Sequence, residues 1–145
     1  MTRNQFTRRD MLKAGAAAMA LPALVPASVL GLDDSSPASE TVRVGVIGCG
    51  GRARLITEAA DVKPFRVVAC ADVEFPRAEQ YAKELSQGAK WGVYPDFRQM
   101  IEKEKLDGVM VETTTHARGL IVIKAMQAGL DTYIEKPMCL TIAEG

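Results

Sequence analysis

Three small residues sit at positions 48, 50 and 53 of the run Gly48-Cys49-Gly50-Gly51-Arg52-Ala53. This is the spacing at which a backbone turn can close on a diphosphate. Gly48 permits the sharp turn, Gly50 lets the backbone approach the ligand, and Ala53 lets the following helix pack close to the preceding strand. That helix would aim its free N–H groups at the anion. Asp72 stands 24 positions beyond Gly48, at the end of the apolar run Phe65–Ala71. A carboxylate there accepts hydrogen bonds from the hydroxyls of an adenosine ribose and repels a 2′-phosphate, which favours NAD over NADP. Glu74 and Arg77 lie near enough to alter that choice, because an arginine can hold the phosphate. A solvated strand-end acid would look the same in sequence. Arg52 and Arg54 flank the helix start, as phosphate contacts or as ordinary exposed helix residues.

Two further clusters belong at the carboxyl ends of later strands, where ligands bind in open α/β folds. Thr113, Thr114 and Thr115 follow one of them and either meet a ribose hydroxyl or cap the next helix. Glu135-Lys136-Pro137 follows another. A lysine so placed can orient a hydroxyl substrate or shuttle a proton, although a Glu-Lys pair is also a common surface feature. His116 is the single histidine, and Cys49, Cys70 and Cys139 lack metal-ligand spacing. No metal site is expected, and the cysteines are read as small buried residues.

These residues need strands and helices to hold them, and the pattern from Thr41 onward alternates the two. Val42, Val44, Val46 and Ile47 suit a strand buried on both faces. A helix is predicted over 52–60, and a second strand over 65–71. Ala78, Tyr81, Ala82 and Leu85 mark a helix over 76–86 with Pro76 in its first turn. A short strand follows at 91–94. Asp96 with Gln99 forms a capping box for a helix whose buried stripe is Phe97, Met100 and Ile101. A strand at 108–111, a helix over 118–128 closed by Gly129, and a strand at 131–134 complete the pattern. The expectation is a Rossmann-type, doubly wound parallel sheet of about five strands with right-handed crossovers. Thr141-Ile142-Ala143-Glu144 is a further capping box that predicts another helix.

The 145 residues carry 18 basic and 18 acidic side chains, so charge gives no reason to expect nucleic acid as a partner. Four of the basic residues (Arg3, Arg8, Arg9, Lys13) and one acid (Asp10) fall within the first 27. Thr7-Arg8-Arg9-Asp10-Met11-Leu12-Lys13 resembles the twin-arginine export motif, with Met11 where phenylalanine is usual. The apolar run from Ala14 to Leu32 is alanine-rich and interrupted by Pro22 and Pro26, which argues against a spanning helix. We expect residues 1–27 to be an export signal cleaved after Ala27, residues 28–40 a polar linker, and residues 41–145 the nucleotide-binding domain. The twin-arginine machinery, as a class, moves folded proteins, so a cofactor could be loaded before export to the periplasm.

Together, Val-Gly-Val-Ile-Gly-Cys-Gly-Gly-Arg at 44–52, Ala71-Asp72, Tyr94-Pro95-Asp96-Phe97-Arg98 and Glu135-Lys136-Pro137 resemble the N-terminal half of the glucose-fructose oxidoreductase / inositol dehydrogenase (Gfo/Idh/MocA) family. The resemblance covers essentially all of Thr41–Gly145. It implies a nicotinamide dinucleotide held by Gly48, Gly50 and Asp72, with Glu135 and Lys136 near the nicotinamide and Lys136 in the catalytic group. The candidate cofactor set is Gly48, Gly50, Gly51, Arg52, Asp72, Thr113, Thr114, His116, Glu135 and Lys136. It also implies chemistry at a secondary alcohol of a sugar or cyclitol, a second α/β domain carrying the rest of the active site, and a homo-oligomer for the full-length protein. On that basis the chain is expected to be truncated and catalytically incomplete. Within the family, a glycosidase that oxidises, eliminates and reduces on NAD is an alternative; a non-catalytic nucleotide-binding fragment is another. The chain departs from similar exported members at one loop. Where these often read Ala-Thr-Pro-Asp-His-Trp-His, it has Glu112-Thr113-Thr114-Thr115-His116-Ala117-Arg118.

Overall fold

The computed structural model describes residues 40–59 and 64–145. The expected export signal, its cleavage position and the linker up to residue 39 lie outside the described residues, as does Ala60. Nine elements follow in order: β1 (Val42–Ile47), α1 (Gly51–Ala59), β2 (Phe65–Ala71), α2 (Phe75–Leu85), β3 (Gly92–Tyr94), α3 (Phe97–Lys103), β4 (Gly108–Val111), α4 (Thr115–Gln127) and β5 (Asp131–Ile134).

The strands form one parallel sheet in the order β3-β2-β1-β4-β5. Strand β1 is central because its alternate side chains serve two cores. Val44 and Val46 pack with Cys70, Ala78 and Tyr81 on the face covered by α1 and α2. Ile47 packs with Ala71, Met100, Val111 and Ile121 on the face covered by α3 and α4. The winding therefore reverses between β1 and β4, the switch point at which open α/β sheets bind ligands. Tyr81 is fully buried and its hydroxyl is satisfied, lying 2.5 Å from Thr57 Oγ1 and donating to the Ala53 carbonyl at 3.1 Å. This ties α2 to the first helical turns after the glycine run.

The expected fold class is the one observed, with differences at boundaries. Helix α4 begins at Thr115 rather than 118, so Thr115 and His116 belong to its first turn and only Thr113 and Thr114 remain in the loop. Thr114 takes the N-cap position with extended backbone and makes no side-chain capping bond. Asp96 caps α3 through the Arg98 amide at 2.9 Å, without the expected partnership of Gln99. Thr141–Glu144 forms a turn and not the predicted helix, although the Glu144 carboxylate accepts from the Leu140 and Thr141 amides at 2.7 and 3.2 Å as a capping box would. Cys49 and Cys70 are buried as expected, while Cys139 is only half-buried.

Among the described residues no helix is long and apolar enough to cross a membrane. A large concavity, about 710 Å³, lies over β1, β4 and β5 beside α1 and is lined by Val42, Val44, Leu55, Ile56 and Tyr133 among others. Its walls are mainly apolar, with Arg52, Asp131, Thr132 and Tyr133 also on its lining. The chemistry-bearing residues meet elsewhere.

Candidate nucleotide-binding site

Strand register brings four residues to one edge. The first residues beyond β1, β2, β4 and β5 are Gly48, Asp72, Glu112 and Glu135. Each continues the ladder by one bond: Gly48 N donates to Ala71 O at 2.8 Å, Asp72 N to Tyr94 O at 3.1 Å, Glu112 N to Ile47 O at 2.8 Å and Glu135 N to Val111 O at 3.5 Å. A cleft of about 510 Å³ opens along this edge, lined by Gly48, Gly50, Asp72, Arg77, Glu112, Thr113, Thr114 and His116 among others.

Gly48 has φ +92°, and a Cβ there would lie 2.9 Å from the Glu112 carbonyl carbon and 3.0 Å from Thr113 Cγ2. Glycine is thus required twice, by conformation and by the approach of the β4 loop. At Gly50 and Gly51 an added Cβ would meet nothing within 4 Å. That open space above the turn is the room a diphosphate needs.

Three of the four edge residues are acids, buried to 7–8% exposure, and they differ in what they hold. Asp72 accepts from the Cys49 amide at 2.8 Å and the Glu74 amide at 2.9 Å, with Arg77 Nη1 at 3.5 Å. The acid and the glycine turn are therefore one rigid unit. Glu135 accepts from Arg52 at 2.8 Å and from the Tyr133 hydroxyl at 3.3 Å. The Arg52 guanidinium holds the Glu135 carboxyl below the usual carboxylate range, against the opposing effect of burial. Glu112 accepts nothing: neither carboxyl oxygen has a hydrogen-bond partner among the described residues, and neither does the neighbouring Thr113 Oγ1. Burial first, and the nearby Glu135 charge second, push the Glu112 carboxyl above its ordinary value, opposed by Arg118 and Arg52.

The structure brings Gly48, Gly50, Asp72, Thr113, Thr114 and His116 into the cleft as expected from sequence. Gly51, Arg52, Glu135 and Lys136 stand outside its lining; Arg52 spans from the first turn of α1 to Glu135, and Lys136 is exposed beside it. Arg54 turns away altogether and pairs with Glu84 of α2. Arg118 is a residue the sequence reading did not assign. Its buried guanidinium donates to the carbonyls of Thr113 at 2.8 Å, Glu135 at 3.0 Å and Pro137 at 2.7 Å, clasping the β4 loop to the Glu135–Pro137 turn. Its position three and seven residues before Ile121 and Ala125, on the buried stripe of α4, was the available signal.

A glycine turn locked to a strand-end acid at the switch point defines a Rossmann-type nucleotide-binding domain. The chain belongs to the Gfo/Idh/MocA oxidoreductase family: the family model described as "Oxidoreductase family, NAD-binding Rossmann fold" matches residues 42–145. It is 33% identical over 107 residues to the inositol 2-dehydrogenase/D-chiro-inositol 3-dehydrogenase of Halalkalibacterium halodurans, covering 72% of this chain and 30% of that protein. The fold is shared with scyllo-inositol dehydrogenase of Lactobacillus casei, solved with NAD(H) and scyllo-inositol (TM-score 0.64, 24% identity, 72% of this chain and 30% of that one). It is likewise shared with a 3-ketoreductase of Actinomadura kijaniata solved with TDP-benzene and NADP (TM-score 0.65, 22% identity, 72% of this chain and 32% of that one). The chain thus spans about 30% of the length of the relatives it matches.

The residues present fit the nicotinamide dinucleotide that the family binds. Gly48 and Gly50, whose added Cβ would meet respectively the β4 loop and nothing within 4 Å, would offer backbone to a diphosphate, and the buried Asp72 carboxylate would take a ribose diol. On the far side of β1, Glu112 and Thr113 line the β4 end of the same cleft, with the carboxyl and hydroxyl oxygens themselves buried and unpartnered among the described residues.

Proposed function

We propose that this chain is the cofactor-binding part of an exported, NAD-dependent oxidoreductase that acts on a secondary alcohol of a sugar or cyclitol. The observation that carries the reading is the bond from the Cys49 amide to Asp72 Oδ2 at 2.8 Å. It fixes the ribose-gripping acid and the diphosphate-gripping turn in one geometry before any ligand arrives, so little ordering is left to be done on binding.

When bound, the nicotinamide ring supplies the carbon that gives or takes a hydride. The described residues of this chain bind and orient it. Gly48 and Gly50 present backbone to the diphosphate, and the first turn of α1 adds its free N–H groups. Asp72 accepts from ribose hydroxyls and disfavours a 2′-phosphate. Lys136, held at the sheet edge by the Arg118 clasp, is placed to orient a substrate hydroxyl and share its proton. The inositol dehydrogenase among the relatives supports a polyol substrate, and the Thr7–Lys13 motif supports export.

Calorimetric titration of the chain tests the reading. NAD+ is expected to bind, and more tightly than NADP+. D72N keeps the shape but removes the charge, and should weaken NAD+ by about tenfold or more while narrowing the gap to NADP+. Absence of binding by either nucleotide overturns the proposal.

A further inference from the structure

We propose that Arg52 is a positioning residue for Lys136: it acts through Glu135 and ties the turn that carries the lysine to the helix end that meets the diphosphate. The inference rests on the nucleotide reading above and gives Arg52 a role other than the phosphate contact expected from its place in the glycine run.

Three observations fix the direction in which Arg52 works. It is the second residue of α1, yet it lies on the wall of the mainly apolar trough and not on the lining of the nucleotide cleft. Its Nη2 donates to Glu135 Oε1 at 2.8 Å, joining residues 83 positions apart. The acceptor is buried, with 8% of its side chain exposed against 60% for the arginine, so the acid is the partner that cannot exchange this bond for water. Without the arginine, Glu135 would keep the Tyr133 hydroxyl at 3.3 Å as its remaining side-chain donor among the described residues, a poor complement for a buried charge.

The turn needs such a tie. Of the four ladder bonds at the sheet edge, the one from the Glu135 amide is the longest, 3.5 Å against 2.8–3.1 Å for those from Gly48, Asp72 and Glu112. Among the described residues β5 is an edge strand with β4 as its single neighbour. Side chains from helices on opposite faces of the sheet therefore hold the segment: Arg118 of α4 grips the Glu135 and Pro137 carbonyls, and Arg52 of α1 grips the Glu135 side chain. Lys136 stands exposed between these anchors. Arg52 extends from the same helical turn that begins at Gly51, where the open space for a diphosphate lies. An anion seated there orders that turn through its free N–H groups. Nucleotide occupancy and lysine position thus share one turn of helix, and by linkage a nucleotide that steadies the lysine turn is itself held more tightly when the tie is intact.

The test reads both sides of this coupling. Hydrogen exchange at the amides of Glu135, Lys136 and Met138, followed by NMR, is expected to slow by about fivefold when NAD+ saturates the parent chain. R52Q and E135Q each cut the tie from one end. Either should reduce that slowing to less than about twofold and lower NAD+ affinity in calorimetry by the same factor, about three- to fivefold, and the double variant should lose no more than either alone. A bond that only supported the fold would raise exchange equally in the free and the NAD+-bound chain, and that result overturns the proposal. So does a loss of about tenfold or more in R52Q with none in E135Q, which would make Arg52 a phosphate contact. Failure of NAD+ to bind the parent removes the nucleotide reading itself, whereas NAD+ bound normally with no slowing at the turn removes this assignment alone.

Discussion

At the residue scale the edge acids make opposite demands on pH. Glu112 has a raised folded-state value, so its protonated form favours the fold. Its contribution is fully present below the ordinary carboxyl value of the unfolded chain and is lost as pH rises through the folded one. Glu135 is lowered by Arg52, so its contribution is present above the unfolded value and is lost as pH falls through the folded one. The groups that act on Glu112 are Glu135 from the β5 end, Arg118 from α4 and Arg52 from α1. Urea unfolding of the parent and E112Q between about pH 4 and 7 should show E112Q gaining relative stability as pH rises. A constant difference across that range would mean that Glu112 is not perturbed.

At the element scale the important coupling runs through α4. Its first turn carries Arg118 into the gap between two loops, where a single guanidinium donates to three loop carbonyls. A loop with buried carbonyls has to find donors, and here one helix supplies them all. R118M keeps the apolar bulk and removes the donors. It is expected to lose about 2–4 kcal/mol of stability and to speed hydrogen exchange in the segment around Lys136 more than in β1 or β2. Uniformly faster exchange would show that Arg118 supports the whole fold and not that loop. The glycine turn is the second element-scale device, since the loop after β4 can approach it only if position 48 has no Cβ.

At the scale of the whole molecule, a sheet wound both ways from β1 leaves its carboxyl edge open at one place, and the polar groups converge there. The larger trough beside α1 is mainly apolar and lies away from the glycine turn and Asp72. Nucleotide binding at this edge should stabilise the entire domain. With NAD+ at 100 times its dissociation constant the gain is about 2.7 kcal/mol, a rise of roughly 10 °C in Tm for a domain near 100 residues. Thermal melts with NAD+ and with NADP+ at equal concentration should show the larger rise for NAD+; a larger rise with NADP+ would point to Arg77, which already sits 3.5 Å from Asp72, as the group that reads the 2′ position.

Local chemistry by itself determined much of this protein. β-branched runs, the Gly48–Ala53 spacing and an acid closing the second strand encode strand and turn within short stretches, so the fold class was legible, and so was the meeting of Gly48, Gly50 and Asp72 at one cleft. The stripe of Ala78, Tyr81 and Ala82 was legible for the same reason. Tertiary structure decided what depends on residues far apart in the chain. Arg52 meets Glu135 across 83 positions, Arg54 leaves the site for Glu84, and Arg118 reaches three carbonyls up to 19 residues away. A charged side chain is committed by whichever donors and acceptors the fold brings within about 3 Å, and spacing along the sequence does not contain that distance. Glu112 shows it most clearly: only the packed sheet edge reveals an acid that every neighbouring donor has passed over.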